Sequence, residues 1–582
     1  MEDKKVLLSV NDLEVKFHVR GRVLTAIRGI SLDIYENESI AIVGESGSGK
    51  SVFTKTFAGM LDSNGFISRG DIIFNDEELI ETYASNDKKG RDIVEKLRSE
   101  LDLSSGLEAG AATWKAISDL DNEHKLRLSL SSEEEEQFNK QIEDIKFAGT
   151  EAYNYKLTLD SSKEKQLIRE TENKIAEYKK QLREIEQKRK QRVAEHRAAS
   201  VSDSEYQSRY ASEKSRLNAL YSEQIKTPVT NAQSERNLVI AKEIYLSTAR
   251  IGGLRAARMR RNLLKACREA MKTGVDLFDP EARNRVFDPV IFRVRYIDET
   301  EEKLHGQCVL NLAKIKEQSD WTQIRGSKIA TVFQDPMTSL NPIITIGKQI
   351  MSVILKHQNC TEVEARERAL TLMKKVGIPN AEQRFDDYPF QYSGGMRQRI
   401  VIAIALSCQP KILICDEPTT ALDVTIQAQI LRLLKKLQKE FNYTIVFITH
   451  DLGVVANVAD RVAVLYAGQI VELGNVEEVF FDPRHPYTWA LMSSMPQLAE
   501  RNTVLYSITG TPPSLYNKIV GDPFAPRNPY CLKLDTLKEP PMFRVSETHY
   551  AKTWLLDPRA PKVDKPETIQ NIHEKLIKAF NI

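Results

Sequence analysis

Long apolar runs, paired cysteines and an excess of charge of one sign are all missing from this sequence of 582 residues. No run of about 18 apolar residues occurs, so the chain is not expected to span a membrane by itself. Any role at a membrane would therefore need a partner or a surface contact. The first residues, MEDKKVLLSV, contain no apolar segment of the secretory type, and no secretory signal is expected.

The cysteines and the charge balance exclude several further classes. The six cysteines show neither C-x-x-C nor C-x-x-C-H spacing, which predicts no zinc ribbon and no disulfide framework. A reducing compartment is the simplest interpretation. The chain has 83 Lys and Arg residues against 81 Asp and Glu residues, a formal net charge of +2. This balance argues against binding of nucleic acid over the whole surface, although it permits a local basic patch.

Changes in composition along the chain predict four regions. Residues 1–83 contain short β-type runs broken by Gly, Asn and Asp. Residues 84–318 are highly charged and are predicted to be a mainly helical insertion. Residues 319–490 alternate β-runs with amphipathic helices, as an α/β domain does. Residues 491–582 form a Pro-rich tail with turn signals such as GTPPSLY.

The charged region contains two stripes of apolar and aromatic residues at helical spacing. The longer stripe predicts a seam of about three heptads. Its members are Ile168, Thr171, Ile175, Tyr178, Leu182 and Ile185. The shorter stripe consists of Tyr206, Tyr210, Leu217 and Leu220. We interpret the two as an antiparallel helical hairpin, with Ser202 and Glu205 as a capping box for its second helix. The later segment GGLRAARMRRNLLKACREA predicts a basic amphipathic helix.

A glycine-rich phosphate-binding motif follows the apolar run SIAIV, which predicts a strand. The motif consists of Gly44, Glu45, Ser46, Gly47, Ser48, Gly49, Lys50 and Ser51, with Val52 next in the chain. Its glycines allow backbone N–H groups to curl around phosphate oxygens, and a helix starting near Lys50 would add its positive dipole end. We expect Lys50 to reach the β- and γ-phosphates of ATP and the Ser51 hydroxyl to ligate Mg²⁺.

A second motif, KILICDE, has the pattern of a buried strand that ends in two carboxylates. In P-loop enzymes a carboxylate at this strand end, here Asp416, holds Mg²⁺. The next carboxylate, Glu417, could polarise the attacking water as a general base. Taken alone, the segment could equally be an ordinary strand followed by an acidic turn.

A third motif, YSGGMRQR, precedes the helix-like run IVIAIALS. Ser393, Gly394 and Gly395 stand just before this helix, where backbone N–H groups are free to bind an anion. A plain helix N-terminus is an equally good interpretation of this motif by itself.

The order of these motifs resembles the nucleotide-binding domain of ABC transporters, with Gln334 in the turn VFQD and His450 after a strand completing the set. The phrases GESGSGKS, FQDPMTSLNP, DEPTTALDVTIQAQIL and HPYTWAL are most similar to the D-type ATPase of oligopeptide, dipeptide and nickel importers. The resemblance covers roughly residues 1–83 and 319–560. It implies an α/β P-loop fold with a helical subdomain, a large mainly helical insertion and an importer-type C-terminal tail.

The resemblance also implies roles for individual residues. Gln334 would ligate Mg²⁺ and sense the γ-phosphate, and Asp416 would support Mg²⁺. Glu417 would activate water, and His450 would contact the γ-phosphate and hold that water. The Ser-Gly-Gly segment would bind the γ-phosphate of ATP held on an opposite subunit, and Asp423 would act across the same interface. Phe17 is the best candidate for an aromatic residue that stacks on adenine.

The implied cofactors are ATP and Mg²⁺, and the implied activity is ATP hydrolysis that powers import of oligopeptides, dipeptides or nickel. The implied partners are two membrane-spanning permease subunits, a second ABC ATPase subunit of the F type in a heterodimer, and an extracellular substrate-binding protein within the complex. The implied location is the cytoplasmic face of the cell membrane. The insertion could bind a further, unknown partner.

Many relatives of this type carry four cysteines in the C-terminal tail that hold an iron–sulfur cluster. In this sequence Asp522, Asn528, Asp535 and Thr553 occupy those places, and Cys531 is the cysteine nearby. One thiolate cannot supply the several ligands that such a cluster needs, so no iron–sulfur cluster is expected.

Two alternatives remain open at this point. One is a soluble ABC-type ATPase, for translation or DNA repair, whose helical insertion binds nucleic acid or another partner. The other treats the insertion as a separate module for RNA or anionic lipid, because residues 163–197 hold twelve Lys and Arg residues against seven Asp and Glu residues. A second basic cluster is formed by Arg255, Arg258, Arg260 and Arg261. A solvated helical surface is the favoured interpretation of these charges.

Overall fold

The computed structural model describes residues 4–19, 21–159, 164–249, 251, 253–287, 292–420, 422–495, 508–516, 519–570 and 572. The chain divides into two compact units. The first consists of Met1–Thr82, Val290–Arg293 and Gln307–Ile582, and the second of Tyr83–Pro289 and Val294–Gly306. A search of the described ranges found no helix that is both long and apolar enough to cross a membrane.

The secondary structure alternates between strands and helices in the first unit and is mainly helical in the second. The strands are β1 (Val6–Val19), β2 (Arg22–Tyr35), β3 (Ser39–Val43), β4 (Gly65–Phe74), β5 (Glu81–Ser85), β6 (Phe292–Glu299), β7 (Lys303–Asn311), β8 (Ile329–Val332), β9 (Ile412–Asp416), β10 (Thr444–Thr449), β11 (Arg461–Tyr466), β12 (Gln469–Asn475), β13 (Phe543–Arg544) and β14 (Tyr550–Ala551). The helices of the first unit are α1 (Lys50–Phe57), α2 (Glu77–Ile80) and, after the second unit, α12 (Gln318–Trp321), α13 (Pro336–Ser339), α14 (Ile346–His357), α15 (Glu362–Lys375), α16 (Ala381–Arg384), α17 (Gly394–Leu406), α18 (Val424–Phe441), α19 (Leu452–Val458), α20 (Val476–Phe481) and α21 (Pro486–Ser493). The helices of the second unit are α3 (Lys88–Asp102), α4 (Gly106–Ala109), α5 (Ala111–Arg127), α6 (Ser132–Thr158), α7 (Lys165–Ser202), α8 (Ser204–Gln224), α9 (Asn231–Ala249), α10 (Gly253–Thr273) and α11 (Pro280–Val286).

The main sheet of the first unit has the strand order β13-β14-β12-β11-β3-β10-β9-β8. Its central strands are parallel, and every residue of β3 and β10 is buried. Burial on both faces explains why these strands read as continuous apolar runs rather than alternating ones. The strands β14 and β13 extend the sheet beyond β12, so part of the C-terminal tail belongs to the same layer as the strands of the core.

A second, antiparallel sheet in the first unit contains β2, β1 and β4. Beyond β4 the sheet continues with β7, whose residues Leu310 and Asn311 pair with Phe74 and Ile73. The sequence prediction ended the insertion at residue 318, whereas residues 307–318 group with the first unit. The physical reason is a long-range contact: the buried side chain of Asn311 accepts the Ile72 N–H and donates to Asp71 at 2.8 Å.

The second unit contains an antiparallel coiled coil, but its partners differ from the predicted ones. The helix α7 pairs with α6, through Lys156 with Glu172 at 2.5 Å and Arg192 with Glu134 at 3.0 Å. The predicted hairpin of the two successive stripes is therefore wrong, because the second stripe, on α8, faces α5 instead. Two groups of contacts join α8 to α5: Tyr210 with Asp121 and His124, and Thr113 with Gln224.

The start of α8 and the helix α10 also bear on the sequence predictions. Asp203, not Ser202, caps α8 by accepting the Tyr206 N–H at 3.0 Å. The Ser202 hydroxyl donates to the Ala199 carbonyl within α7, so it is not available as a cap. The predicted basic amphipathic helix is confirmed as α10, which buries an apolar face. That face consists of Ala256, Leu263, Leu264, Cys267, Ala270 and Met271.

Candidate functional site

The turn between β3 and α1 requires glycine at particular points. Gly44, Gly47 and Gly49 have φ angles of 153°, 81° and 104°, a region that L side chains rarely adopt. A Cβ atom on Gly44 would also clash with the carbonyl oxygen of Leu465. The helix α1 begins at Lys50, so the N–H groups of its first turn lie at the end of this loop. The local backbone therefore has the form of an anion-binding cradle.

Lys50 and Ser48 supply polar groups inside this cradle. The Lys50 ammonium group donates to the carbonyl oxygens of Gly44 at 2.8 Å and Glu45 at 3.0 Å. Burial lowers the pKa of Lys50, while the nearby carboxylates of Glu417, Asp416 and Glu45 act in the opposite direction. The buried Ser48 hydroxyl has no hydrogen-bond partner among the described residues. These groups could bind the phosphate oxygens of a nucleotide.

Two oxygen ligands suited to a hard cation meet beside the cradle. The Ser51 hydroxyl donates to a carboxylate oxygen of Asp416 at 3.2 Å, and Asp416 ends the buried strand β9. Burial raises the pKa of Asp416, and the hydrogen bond from Ser51 opposes this shift. A hydroxyl and a carboxylate next to phosphate-binding N–H groups are the donor set that Mg²⁺ uses in nucleotide enzymes. The residues present therefore fit the predicted Mg²⁺.

The Glu417 carboxylate is held by a set of hydrogen-bond donors. Its donors are the side-chain amide of Gln334 at 3.1 Å, the Thr420 hydroxyl at 3.0 Å and Nδ1 of His450 at 3.0 Å. The backbone of Glu417 has a φ of 45°, and its N–H donates to the Ile448 carbonyl at 3.0 Å. The structure thus brings together all three residues that were predicted to be catalytic, although they come from three separate segments.

The ionisation of Glu417 suits a general base. Burial raises its pKa, but hydrogen bonds from His450 and Thr420 outweigh this effect, and the resulting pKa lies below the ordinary value of 4.5. Because an ionised carboxylate only accepts hydrogen bonds, Nδ1 of His450 carries the proton in their contact. At neutral pH the carboxylate is therefore charged and able to accept a proton from water.

The predicted Ser-Gly-Gly segment and Asp423 lie at the starts of two neighbouring helices. The Ser393 hydroxyl accepts the Met396 N–H at 3.4 Å, and Gly394 begins α17. Asp423 caps α18 by accepting the Ile426 N–H at 3.0 Å. A Cβ atom on Gly395 would lie 2.7 Å from the Ile426 side chain, so glycine allows this close approach. Ser393, Gly394, Gly395 and Asp423 therefore lie together where α17 and α18 begin.

Two observations at the site were not anticipated from the sequence. Thr420 was not among the predicted site residues, although it follows the two carboxylates within the phrase DEPTT and its hydroxyl donates to Glu417. The expectation that Phe17 stacks on adenine gains no support, because Phe17 is only 8% exposed and lies opposite Gly65 of the neighbouring strand. A Cβ atom on Gly65 would lie only 2.6 Å from the Phe17 ring.

A P-loop, a hydroxyl–carboxylate pair for a cation and a carboxylate held by a glutamine and a histidine define the class of the protein: an ABC-type ATPase. Residues 27–211 and 294–420 match the family described as "ABC transporter", and residues 471–533 match "Oligopeptide/dipeptide transporter, C-terminal region". Because the first match covers more than half of the sequence, the chain belongs to the ABC transporter family. The predicted fold class and family are confirmed.

Several curated relatives are similar to parts of the chain. The oligopeptide transport ATP-binding protein AmiE of Streptococcus pneumoniae is 65% identical over 266 residues, which are 46% of this chain and 75% of AmiE. OppD of Bacillus subtilis, named for oligopeptide transport, is 57% identical over 286 residues, or 49% and 79% of the two chains. DppD of Lactococcus lactis, named for dipeptide transport, is 59% identical over 260 residues, or 44% and 74%. These matches give no support to the soluble nucleic-acid ATPase.

Proposed function

We propose that this chain is the ATP-hydrolysing subunit of an ABC importer for oligopeptides or dipeptides. The observation that carries the proposal is the convergence of Gln334 and His450 on Glu417, next to the contact between Ser51 and Asp416. The match of residues 471–533 to the oligopeptide/dipeptide transporter C-terminal region supports the class of substrate.

In the proposed mechanism the segment 44–52 binds the phosphates of ATP through its backbone N–H groups. Lys50 would pair with the β- and γ-phosphates, and Ser51 and Asp416 would hold Mg²⁺, with Gln334 as a further ligand. When bound, Mg²⁺ neutralises charge that develops on the transferred phosphate. Support comes from the buried Lys50 ammonium group and from the adjacent oxygens of Ser51 and Asp416.

Glu417 is the proposed general base. It orients the attacking water and accepts its proton, while His450 fixes the carboxylate and contacts the γ-phosphate. Phosphoryl transfer needs mainly positioning and charge stabilisation. A carboxylate fixed by three hydrogen-bond donors meets the need for positioning, because it can hold the attacking water in one place. The pKa below the ordinary value keeps this base ionised at neutral pH.

A second ATPase subunit, of the F type, is the proposed partner at the nucleotide. Ser393, Gly394 and Gly395 would bind the γ-phosphate of ATP that this partner holds, and Asp423 would act across the same interface. The first N–H groups of a helix have no partner within the helix, which leaves those at the start of α17 for an anion. Closure on ATP and opening after hydrolysis would then follow loss of the γ-phosphate.

Two membrane-spanning permease subunits are the proposed partners on the side of Gln334, and an extracellular substrate-binding protein would complete the importer. Exposed apolar side chains lie on the segment around Gln334: Phe333 is 43% exposed, Met337 59% and Ile343 81%. Phe333 also lines a cavity of about 530 Å³ with Trp321. Large exposed apolar groups favour a protein partner. The proposed location is the cytoplasmic face of the cell membrane, where the permease subunits would be reached.

We also propose a revised domain map. Residues 83–306 form the insertion, which could carry a binding partner of its own, and the remaining residues form the ATPase core with its C-terminal tail. The second compact unit, which consists of Tyr83–Pro289 and Val294–Gly306, supports the two outer limits.

The first test is ATP binding by the purified chain and by Lys50→Ala. We expect the variant to bind Mg-ATP at least about tenfold more weakly, because it loses a charge paired with phosphate. Lys439→Ala, an exposed lysine on α18, is the matched control and should bind like the parent. Unchanged affinity of Lys50→Ala would count against the proposed site. Purification from cells should recover membrane proteins with the chain, and recovery of nucleic acid instead would contradict the importer.

A further inference from the structure

An arginine of the C-terminal tail reaches the phosphate-binding loop from 482 positions further along the chain. The two terminal nitrogens of Arg527 donate to the two carboxylate oxygens of Glu45, at 2.7 and 3.0 Å. The side chain of Arg527 is 4% exposed and that of Glu45 25%. A buried, bidentate ion pair between arginine and a carboxylate is both strong and directional.

The position of Arg527 is itself fixed by other residues. Its Nε donates to the Thr509 carbonyl at 3.0 Å, and one of its terminal nitrogens donates to the Tyr466 hydroxyl at 3.2 Å. Tyr466 ends β11, a strand of the main sheet. The guanidinium group is therefore held between the sheet and the tail, and it presents its remaining donors to Glu45.

A second contact holds the backbone of the same loop residue. The Glu45 N–H donates to the Tyr487 hydroxyl at 2.8 Å. Tyr487 is fully buried, with its ring 4.6 Å from that of Tyr466 and 5.4 Å from that of Phe524. Both the side chain and the backbone of Glu45 are thus bound by residues that follow the last predicted motif residue, His450.

These contacts matter because Lys50 has two competing tasks. Its ammonium group donates to the Gly44 and Glu45 carbonyls, and it must leave them to pair with a phosphate. When it leaves, Arg527 and Tyr487 still hold Glu45. A loop that keeps its shape while Lys50 moves binds phosphate with less loss of conformational freedom.

We propose that Arg527 is a positioning residue that braces the phosphate-binding loop through Glu45, with Tyr487 as the second brace. The C-terminal tail thereby sets the affinity of the site for ATP. This inference rests on the proposed function, namely ATP binding at residues 44–52.

The test compares binding and turnover of Mg-ATP in the full-length chain. We expect Arg527→Gln to raise the Kd for Mg-ATP about tenfold, the scale of one charge-assisted hydrogen-bond pair, with kcat at saturating ATP within about twofold. Glu45→Gln should have a similar effect. The double variant should bind no more weakly than Arg527→Gln alone, because both changes remove the same contact. Arg527→Lys, which keeps the charge, should recover part of the affinity.

Arg559→Gln is the matched control. Arg559 is also a tail arginine paired with a carboxylate, that of Asp557 at 2.9 Å, but it is 87% exposed and should not affect the Kd. A Kd of Arg527→Gln within about twofold of the parent, together with a lower Tm, would show a purely structural role and overturn the proposal, as would additive effects in the double variant.

If Arg527→Gln does not fold, Tyr487→Phe tests the bracing of the same loop residue through its second contact, by removing only the hydroxyl that accepts the Glu45 N–H. Weaker Mg-ATP binding by this variant supports the proposal, and unchanged binding overturns it. A parent chain that binds no Mg-ATP, and so cannot be distinguished from Lys50→Ala, would instead refute the proposed function.

Discussion

Replacing Glu417 by glutamine separates the proposed chemistry from nucleotide binding, because it removes one charge and keeps the shape of the side chain. General base catalysis contributes roughly 10²- to 10⁴-fold to a rate, which corresponds to about 2.7 to 5.4 kcal/mol of activation free energy. We expect the turnover of Glu417→Gln to fall by this factor. ATP affinity should stay within about twofold, because Lys50 and Ser51, which carry the phosphate and cation contacts, are untouched.

The surroundings of Glu417 also predict the pH dependence of the parent. Hydrogen bonds from His450 and Thr420 hold its pKa below 4.5, so the carboxylate loses its charge only in more acidic solution. Turnover of the parent should therefore show no loss attributable to this base between about pH 5 and pH 8.

The assay is phosphate release at saturating Mg-ATP, with binding measured separately on the same preparations. Glu440→Gln is the control, since Glu440 is an exposed carboxylate that pairs with Lys375 on the surface. The ATP-bound pair of subunits should also persist longer with Glu417→Gln. Turnover within about threefold of the parent would refute the role of Glu417.

Three other predictions concern the tail and the insertion. Burial raises the pKa of Asp522 to about 7 from the ordinary 3.8, so between these values folding takes up a proton at this carboxyl group. The stability that the protonated Asp522 contributes is therefore lost as the pH rises from about 4 through 7. Asp522→Asn keeps an acceptor for the Phe524 N–H and should raise the Tm at pH 8 but not at pH 4; an equal shift at both values would contradict this reasoning. Replacing residues 83–306 by a short Gly/Ser bridge should leave a soluble core that binds ATP, and an insoluble or non-binding product would refute the domain map. A preparation made without oxygen should contain no stoichiometric iron or labile sulfide and show no thiolate–iron absorption, whereas their presence would reveal cluster ligands that the sequence did not indicate.

The site residues could be predicted because each lies in a short contiguous motif whose backbone form follows from its own residues. The glycines of residues 44–49 and the apolar run that ends at Asp416 are examples. The contact of Arg527 with Glu45 could not be found in this way. Its partners are 482 positions apart, and neither side chain differs locally from an ordinary surface charge.

The insertion shows the same limit for helices. The spacing of apolar residues on α7 indicated a helix with one packing face, but it did not identify the helix that covers this face. The contacts that join α7 to α6 include the ion pair of Arg192 with Glu134 and the position of Gly149 opposite Tyr178. Residues 307–318 group with the first unit, and local composition does not indicate this because the pairing of Asn311 with Ile73 depends on a distant strand.

The contacts between the two ends of the insertion have a consequence for the order of folding. The contact between Ile72 and Asn311 joins residues 239 positions apart, and closing so long a flexible loop costs about 2 kcal/mol more than closing one of about 25 residues. Within the second unit, however, the Asn86 N–H bonds to the Glu302 carbonyl at 2.8 Å and the Tyr83 ring stacks on His305. Once this unit has folded, its two ends lie side by side. The folded unit then acts as a short loop between the parts of the chain that precede and follow it. A substitution that unfolds the second unit would therefore slow assembly of the nucleotide site without changing any residue in it.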